Sequence, residues 1–215
     1  MNVFTEDERA RIADHVADVE AHTAGEVVPY VVMQSDTYPV ARWRGAAVAI
    51  LLALTVASAL SVAGTGGVIA ESRVLVPILF GMGATGALTA GAVPPLVRTL
   101  AGAQTLDRAA HRRAMQAFVD EEVFATRERT GILMFVSLLE HRIEVIADVG
   151  ISEQVDPATW SAIAEAIRAG LASGSLAEGL IGGLTRCRTI LDDAGIERRA
   201  DDTDELPNTI REERS

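Results

Sequence analysis

Gly45–Gly64, GAAVAILLALTVASALSVAG, and Val74–Val97, VLVPILFGMGATGALTAGAVPPLV, contain no ionisable residue. At about 1.5 Å per residue, a helix of about 20 such residues crosses about 30 Å of hydrocarbon. The stretch between them, Thr65–Arg73, is short and holds two adjacent glycines with the charged pair Glu71 and Arg73. A link this short forces the helices to be antiparallel neighbours, so the two segments predict a transmembrane hairpin over 42–98. Ala49, Ala53, Ala57 and Ser61 recur every four residues in the first helix, and Gly83, Ala87 and Gly91 in the second. Small residues at this spacing let helix backbones approach closely in lipid. Pro94-Pro95 is expected to mark the second helix's end.

Working outward, cationic flanks set the orientation. Arg42 and Arg44 precede the hairpin, Arg98, Arg108, Arg112 and Arg113 follow it, and only Arg73 lies in the link. The bias of positive charge toward the cytoplasmic side predicts two spans of the cell membrane with both termini in the cytoplasm. The first residues, MNVFTEDERARIADH, have no apolar run of the kind a cleavable signal peptide needs, and none is expected.

Both flanks carry α/β patterns. Thr5-Glu6-Asp7-Glu8 is a capping box ahead of Ile12, Val16 and Val19, which predicts an amphipathic helix to about His22. Glu26–Met33, EVVPYVVM, reads as a strand whose Pro29 favours an edge or a bulge. Beyond the hairpin, Thr105–Arg127 reads as a helix. Ile132–Leu139, ILMFVSLL, reads as a central strand covered on both faces, and Ile143–Val149 as its hairpin partner. Asp156-Pro157 starts a helix with a stripe of Trp160, Ile163, Ile167 and Leu171. A second start near Ser175 leads to Leu176, Leu180, Leu184, Cys187 and Leu191 on one face.

The first flank has one helix and one strand, too little for a core, so the hairpin is expected to interrupt a single fold. The predicted fold class is α/β, a compact α/β/α sandwich with a small mixed sheet. Residues 1–41 form its first part and 99–196 the remainder. Residues 197–215 are too polar to bury anything and predict a disordered acidic tail.

Composition narrows the function. The formal net charge of −11 repels phosphate backbones, so no nucleic-acid partner is expected. The single cysteine excludes an intramolecular disulfide, and Cys187 is expected to be buried and structural. No glycine-rich nucleotide motif, nucleophile elbow or His metal spacing occurs in the sequence.

The soluble segments resemble the TPM domain family. The resemblance rests on EAHTAGE at Glu20–Glu26, on Arg129-Thr130-Gly131-Ile132-Leu133, on IEVIADVGI at Ile143–Ile151, on Trp160–Ile167 and on Asp204-Glu205-Leu206-Pro207-Asn208. The last segment and the inserted hairpin resemble a bacterial membrane-bound branch of that family. What the resemblance implies is a compact α/β sandwich, divalent-ion binding in some members, and weak acid phosphatase activity of the kind attributed to plant members. Many members carry a GYGLEG-like run after the strand matching Ile143–Val149. Here the run is Asp148-Val149-Gly150-Ile151-Ser152-Glu153, with Asp148 at the first glycine, Ser152 at the glutamate and Glu153 at the following glycine.

The chemistry available is that of carboxylates. Asp148 ends a predicted strand, where loops of α/β folds make sites, and Glu26 begins another. If those strand ends face each other, Glu26, Asp148 and Glu153 offer oxygen ligands to Ca²⁺ or Mg²⁺, with Asp156 as an outside candidate. The plainer alternative makes Asp148 and Asp156 turn and helix-cap residues, and Glu26 and Glu153 solvated. No catalytic residues are identified. The expected function is a membrane-anchored module that binds or scaffolds a protein partner, with the lipid bilayer as its second partner. A weak metal-assisted acid phosphatase is the alternative. A transporter is disfavoured, because the spans lack the ionisable residues that ion pathways need.

Overall fold

The computed structural model describes residues 3–64, 72–196, 198 and 205–213. The chain divides into two compact units: Met1–Ser35 with Ala109–Ser215, and Asp36–Arg108 between them in sequence. The inserted unit is thus wider than the 42–98 that apolar content alone marks out. The link Thr65–Arg73 lies outside the described residues except for its last two positions, as does Asp204.

The first unit is α/β. Its elements are α1 (Glu6–His22), β1 (Glu26–Val32), most of α5 (Ala103–Asp120), β2 (Gly131–Ser137), β3 (Arg142–Ala147), the single turn α6 (Val149–Ser152), α7 (Trp160–Ala172), α8 (Leu176–Asp193) and β4 (Arg211–Glu213). The inserted unit holds α2 (Pro39–Val62), α3 (Ser72–Ala92) and α4 (Pro94–Ala101).

The four strands form one mixed sheet in the order β3-β2-β1-β4. β1 runs parallel to β2, in register from Glu26 opposite Gly131 to Val32 opposite Ser137. β2 and β3 form the expected antiparallel hairpin. Side chains alternate across the sheet, so each strand feeds two cores. Val27, Val31, Ile132, Met134 and Val136 pack under α1, α7 and α8 through Ile12, Val16, Ile163, Ile167, Leu180 and Leu184. Val28, Tyr30, Leu133 and Phe135 pack under α5 through Ala110, Ala114, Ala117 and Phe118. The near-continuous apolar run of β2 follows from burial on both faces.

Two sequence expectations need correcting. The predicted disordered tail over 197–215 contains an ordered segment, because Arg211–Glu213 pair with Tyr30–Val32 as the parallel strand β4. Each of these polar residues meets a countercharge. Arg211 Nε lies 2.8 Å from Glu121, Glu212 accepts from Arg9 Nε at 2.7 Å, and Glu213 pairs with Arg113 and accepts from the Tyr30 hydroxyl at 2.7 Å. Pro29 does not put β1 at the sheet's edge; β1 has a neighbour on each side. The N–H of Glu26 donates toward β2, to Thr130, and that of Met33 donates toward β4, to Glu213. Pro29 belongs with Met33 in the alternate series facing β4, and β4 reaches only as far as Tyr30. At Pro29 there is no ladder bond for the missing N–H to break. Two residues earlier, the Val27 N–H donates to the buried Glu20 carboxylate of α1 at 3.2 Å instead of to a strand.

In the inserted unit, α2 and α3 are long and apolar enough to cross a membrane and are almost wholly exposed. Large apolar side chains such as Leu51, Leu52, Phe80 and Leu88 point outward. The helices touch through small residues, although the tightest point lies nearer the hairpin's open end than the spacing suggested. A Cβ on Gly45 would lie 2.5 Å from the Gly86 carbonyl oxygen, and one on Gly86 would lie 2.6 Å from the Ala49 Cβ. Pro94-Pro95 follows the end of α3 at Ala92 and also starts α4, since proline suits the first turn of a helix. The Arg44 guanidinium donates to the carbonyls of Leu100 and Ala101 at the end of α4.

Two outcomes follow. Gly86→Val should separate α2 from α3, and crosslinking between cysteines placed at Ala49 and Ala87 should fall severalfold; unchanged crosslinking would show that close approach at Gly86 is not needed. Cys187 is fully buried, and burial pushes its thiol up to about 12. A thiol reagent at about pH 8 should therefore modify it only after unfolding, because the thiolate is the reactive form; rapid modification of the native protein would contradict that burial.

Candidate functional site

The end of the sheet where β1 and β2 begin and β3 ends holds two of the sequence-nominated residues, Glu26 and Asp148. Glu26 pairs with Gly131, whose carbonyl accepts the Asp148 N–H at 2.9 Å. Glu26 and Asp148 therefore flank Gly131 from opposite sides. The backbone is tight there. Arg129 holds a left-handed φ of 59°, and a Cβ on Gly150 would lie 2.2 Å from the Glu128 carbonyl oxygen. Only a glycine can follow Val149 at that distance. A shallow cavity opens beside it, lined by Ala24, Glu128, Thr130, Gly150, Gln154 and Ile196.

Asp148 is the best-held group. It is buried, caps α6 by accepting the Val149 N–H at 2.7 Å, and takes a two-point bond from Arg129, Nε to Oδ2 at 2.5 Å and Nη2 to Oδ1 at 2.9 Å. Burial by itself would raise its pKa. The Arg129 hydrogen bonds, the Val149 N–H and the guanidinium charge outweigh that and hold it below the ordinary carboxylate value. Paired guanidinium–carboxylate bonds of this geometry are among the stronger polar contacts.

The other nominees behave differently. Glu26 is buried rather than solvated, and its Oε1 accepts the Glu205 N–H at 3.3 Å. Glu205 in turn accepts the Arg127 N–H at 2.8 Å. Glu153 is exposed at the C-terminal end of α6 and does not join Asp148. Asp156 is a helix cap, accepting the Ala158 N–H at 2.9 Å. The structure thus brings Glu26 and Asp148 to the same strand ends and leaves Glu153 and Asp156 outside. Among the described residues no three His, Cys, Asp or Glu side chains gather closely enough to hold a metal ion.

Sequence reasoning missed Arg129 as Asp148's partner; the only signal was its place just before the second strand. It also missed Glu140, in the turn between β2 and β3. Glu140 is fully buried, accepts the Ser35 N–H at 2.8 Å and takes a short bond from the Ser137 hydroxyl, which itself lies 2.8 Å from the Ser35 hydroxyl. That cluster ties the far ends of β1 and β2 together.

No family model matches this sequence, and no curated protein matches it. Among solved structures, the chain is similar to the NMR structure of BA42 protein from the psychrophilic bacteria Bizionia argentinensis sp. nov., at 18% identity and a TM-score of 0.61, over 99% of this chain and 97% of that one. At that identity the likeness concerns the fold alone.

The Asp148–Arg129 pair predicts a pH signature. With a folded pKa below the unfolded value of about 3.9, Asp148 stabilises the fold above that pH and loses this contribution as pH falls through the folded pKa. In Arg129→Met only the Val149 N–H still opposes burial, and the folded pKa of Asp148 should rise. The variant should be destabilised at neutral pH, and the Asp148 contribution to the slope of stability against pH should shrink near pH 4. Parallel pH curves for the two proteins would show that the guanidinium does not hold this carboxylate.

Proposed function

We propose that this chain is a membrane-anchored, TPM-like docking module, with its hairpin in the bilayer and its α/β unit offered to a protein partner. The observation that carries this reading is the contrast between the two units. α2 and α3 expose their large apolar side chains along their length, which lipid tolerates and water does not. The α/β unit has both faces of its sheet covered and an acidic chain to keep it soluble. Arg42, Arg44 and Arg98 near the hairpin's ends favour a cytoplasmic position for that unit, in the cell membrane.

A divalent ion, Ca²⁺ or Mg²⁺, is proposed as a modulator at the Asp148 end, with Glu26 near and Glu153 able to reach it only by rearrangement. Such an ion would compete with Arg129 for the same carboxylate, so the site should be weak, with affinity of about 10⁻⁴–10⁻³ M. A metal-assisted phosphatase would need a gathered ligand set, and among the described residues no three His, Cys, Asp or Glu side chains gather; docking is the reading with more support.

Three measurements test it. An impermeant thiol reagent applied to intact cells should label Ser72→Cys and spare Ser215→Cys; the reverse pattern would overturn the orientation. Purification from native membranes should retain a stoichiometric protein partner that is lost when the surface of the α/β unit is mutated; a chain that purifies alone from every gentle extraction would remove the docking reading. Calorimetry with millimolar Ca²⁺ or Mg²⁺ should give heat that is lost in Asp148→Asn and kept in Asp156→Asn. No heat with either ion would remove the ion, and metal-assisted phosphatase chemistry with it.

A further inference from the structure

Charge is divided unevenly along the chain. The inserted unit, Asp36–Arg108, holds five arginines and three acidic residues, in a chain of net charge −11. Its own balance is positive, and the α/β unit carries the whole acidic excess. Arg42 and Arg44 lie in the first turns of α2, at the open end of the hairpin. α2 has 24 residues, about 36 Å at 1.5 Å per residue, whereas the hydrocarbon layer takes about 30 Å. The run without ionisable residues starts at Gly45. With the hairpin in a bilayer, the turn Arg42–Arg44 therefore stands just outside the hydrocarbon, at the depth of the lipid headgroups.

This turn is shaped for that depth. Trp43 is 77% exposed. An indole facing water is unfavourable, whereas at headgroup level its ring meets acyl carbons and its N–H meets polar groups. Arg42 is exposed but not loose, because its side chain lies across α3 on Gly91. A Cβ on Gly91 would lie 2.7 Å from the Arg42 Nε and 3.0 Å from its Cγ, and its three nearest neighbours would all be Arg42 atoms. Arg44 is fixed by the carbonyls of Leu100 at 2.5 Å and Ala101 at 3.3 Å. Carbonyls orient a guanidinium without cancelling its charge. Among the described residues neither Arg42 nor Arg44 is paired with a carboxylate.

We propose that the open end of the hairpin recognises anionic phospholipid: Arg42, seated on Gly91, and Arg44 attract the headgroup phosphate, and the Trp43 ring packs beside the glycerol and upper acyl chain. Guanidiniums match phosphate oxygens with parallel donors. Each arginine near an anionic surface adds roughly fivefold to the attraction. The inference rests on the placement of the hairpin in the bilayer and names the lipid that its open end selects. It does not use the protein-docking part of that reading or the Asp148 end.

The test uses the full chain in phosphatidylcholine nanodiscs that contain an equal small fraction of either brominated phosphatidylglycerol or brominated phosphatidylcholine. Bromine quenches an indole that it touches. The chain has two tryptophans, and Trp43→Phe, at an exposed position, gives the Trp160 background to subtract. Brominated phosphatidylglycerol should quench Trp43 about threefold more than brominated phosphatidylcholine. That preference should be lost in the double variant Arg42→Gln, Arg44→Gln. It should also fall in Gly91→Ala, which displaces the Arg42 side chain and leaves the charge unchanged. Arg73→Gln, beyond the other end of the spans, should keep it. Equal quenching by the two lipids overturns the proposal, and so does a preference that survives the double variant or is unaltered in Gly91→Ala. Quenching of Trp43 by neither lipid overturns the membrane placement itself, so the two failures are distinguishable.

Discussion

The parallel pairing of β1 with β2 is the contact on which the rest of the fold depends. The two strands lie on opposite sides of the hairpin in sequence, and parallel neighbours always need a long connection between them. Closing so long a loop costs conformational entropy, though the cost grows only slowly with length. A hairpin that forms by itself, through contact between its own small-residue faces, shortens the part of the loop that must be ordered. The insertion is compatible with the α/β fold because it is a folded unit and not a slack chain. Once β1 and β2 meet, both cores follow, since each strand contributes one set of side chains to each face.

The same pairing sets the terms of any chemistry at the Asp148 end. Register places Glu26 and Asp148 on either side of Gly131, an arrangement that brings two carboxylates to one strand end without touching. Two such charges close together would repel. The structure answers with Arg129, which satisfies Asp148, and with the Glu205 backbone N–H, which donates to Glu26. The site is neutralised by protein groups, so an ion gains little by replacing them. Any affinity there reflects the difference between an arginine and a dication at the same carboxylate, a small difference between large terms.

How much of this was legible depended on whether a feature is local. The hairpin, the capping box at Thr5 and Glu8, the stripes of α7 and α8, and the two-sided burial of β2 all follow from spacing within one segment. The pairs Arg129–Asp148, Glu212–Arg9 and Glu213–Arg113 join residues far apart in sequence, and nothing in the spacing of either partner announces the other. The Arg211–Glu213 strand was unreadable for a sharper reason. Its sequence, Arg-Glu-Glu, is poor strand composition, and it becomes a strand because each side chain finds a countercharge on α1, on α5 or at Glu121 just beyond α5. Glu153 failed to join Asp148 because α6 turns the chain away within one helical turn. Pro29 suggested an edge or a bulge, but its missing N–H faces a position that β4 does not reach, so β1 keeps a neighbour on each side.

Those ion pairs also explain how an acidic chain without a large core holds its sheet edge. β1 would be open on one side along its full length. Glu20 covers its first half by accepting the Val27 N–H, Pro29 removes the donor at the middle, and β4 covers its second half. All 19 basic residues are arginines, and the ones beside this edge are used as fixed ties: Arg9 and Arg113 grip β4 from two helices, and Arg113 also lies over the Tyr30 ring at 5.7 Å. A guanidinium can serve two partners and a ring face at once, which an ammonium cannot.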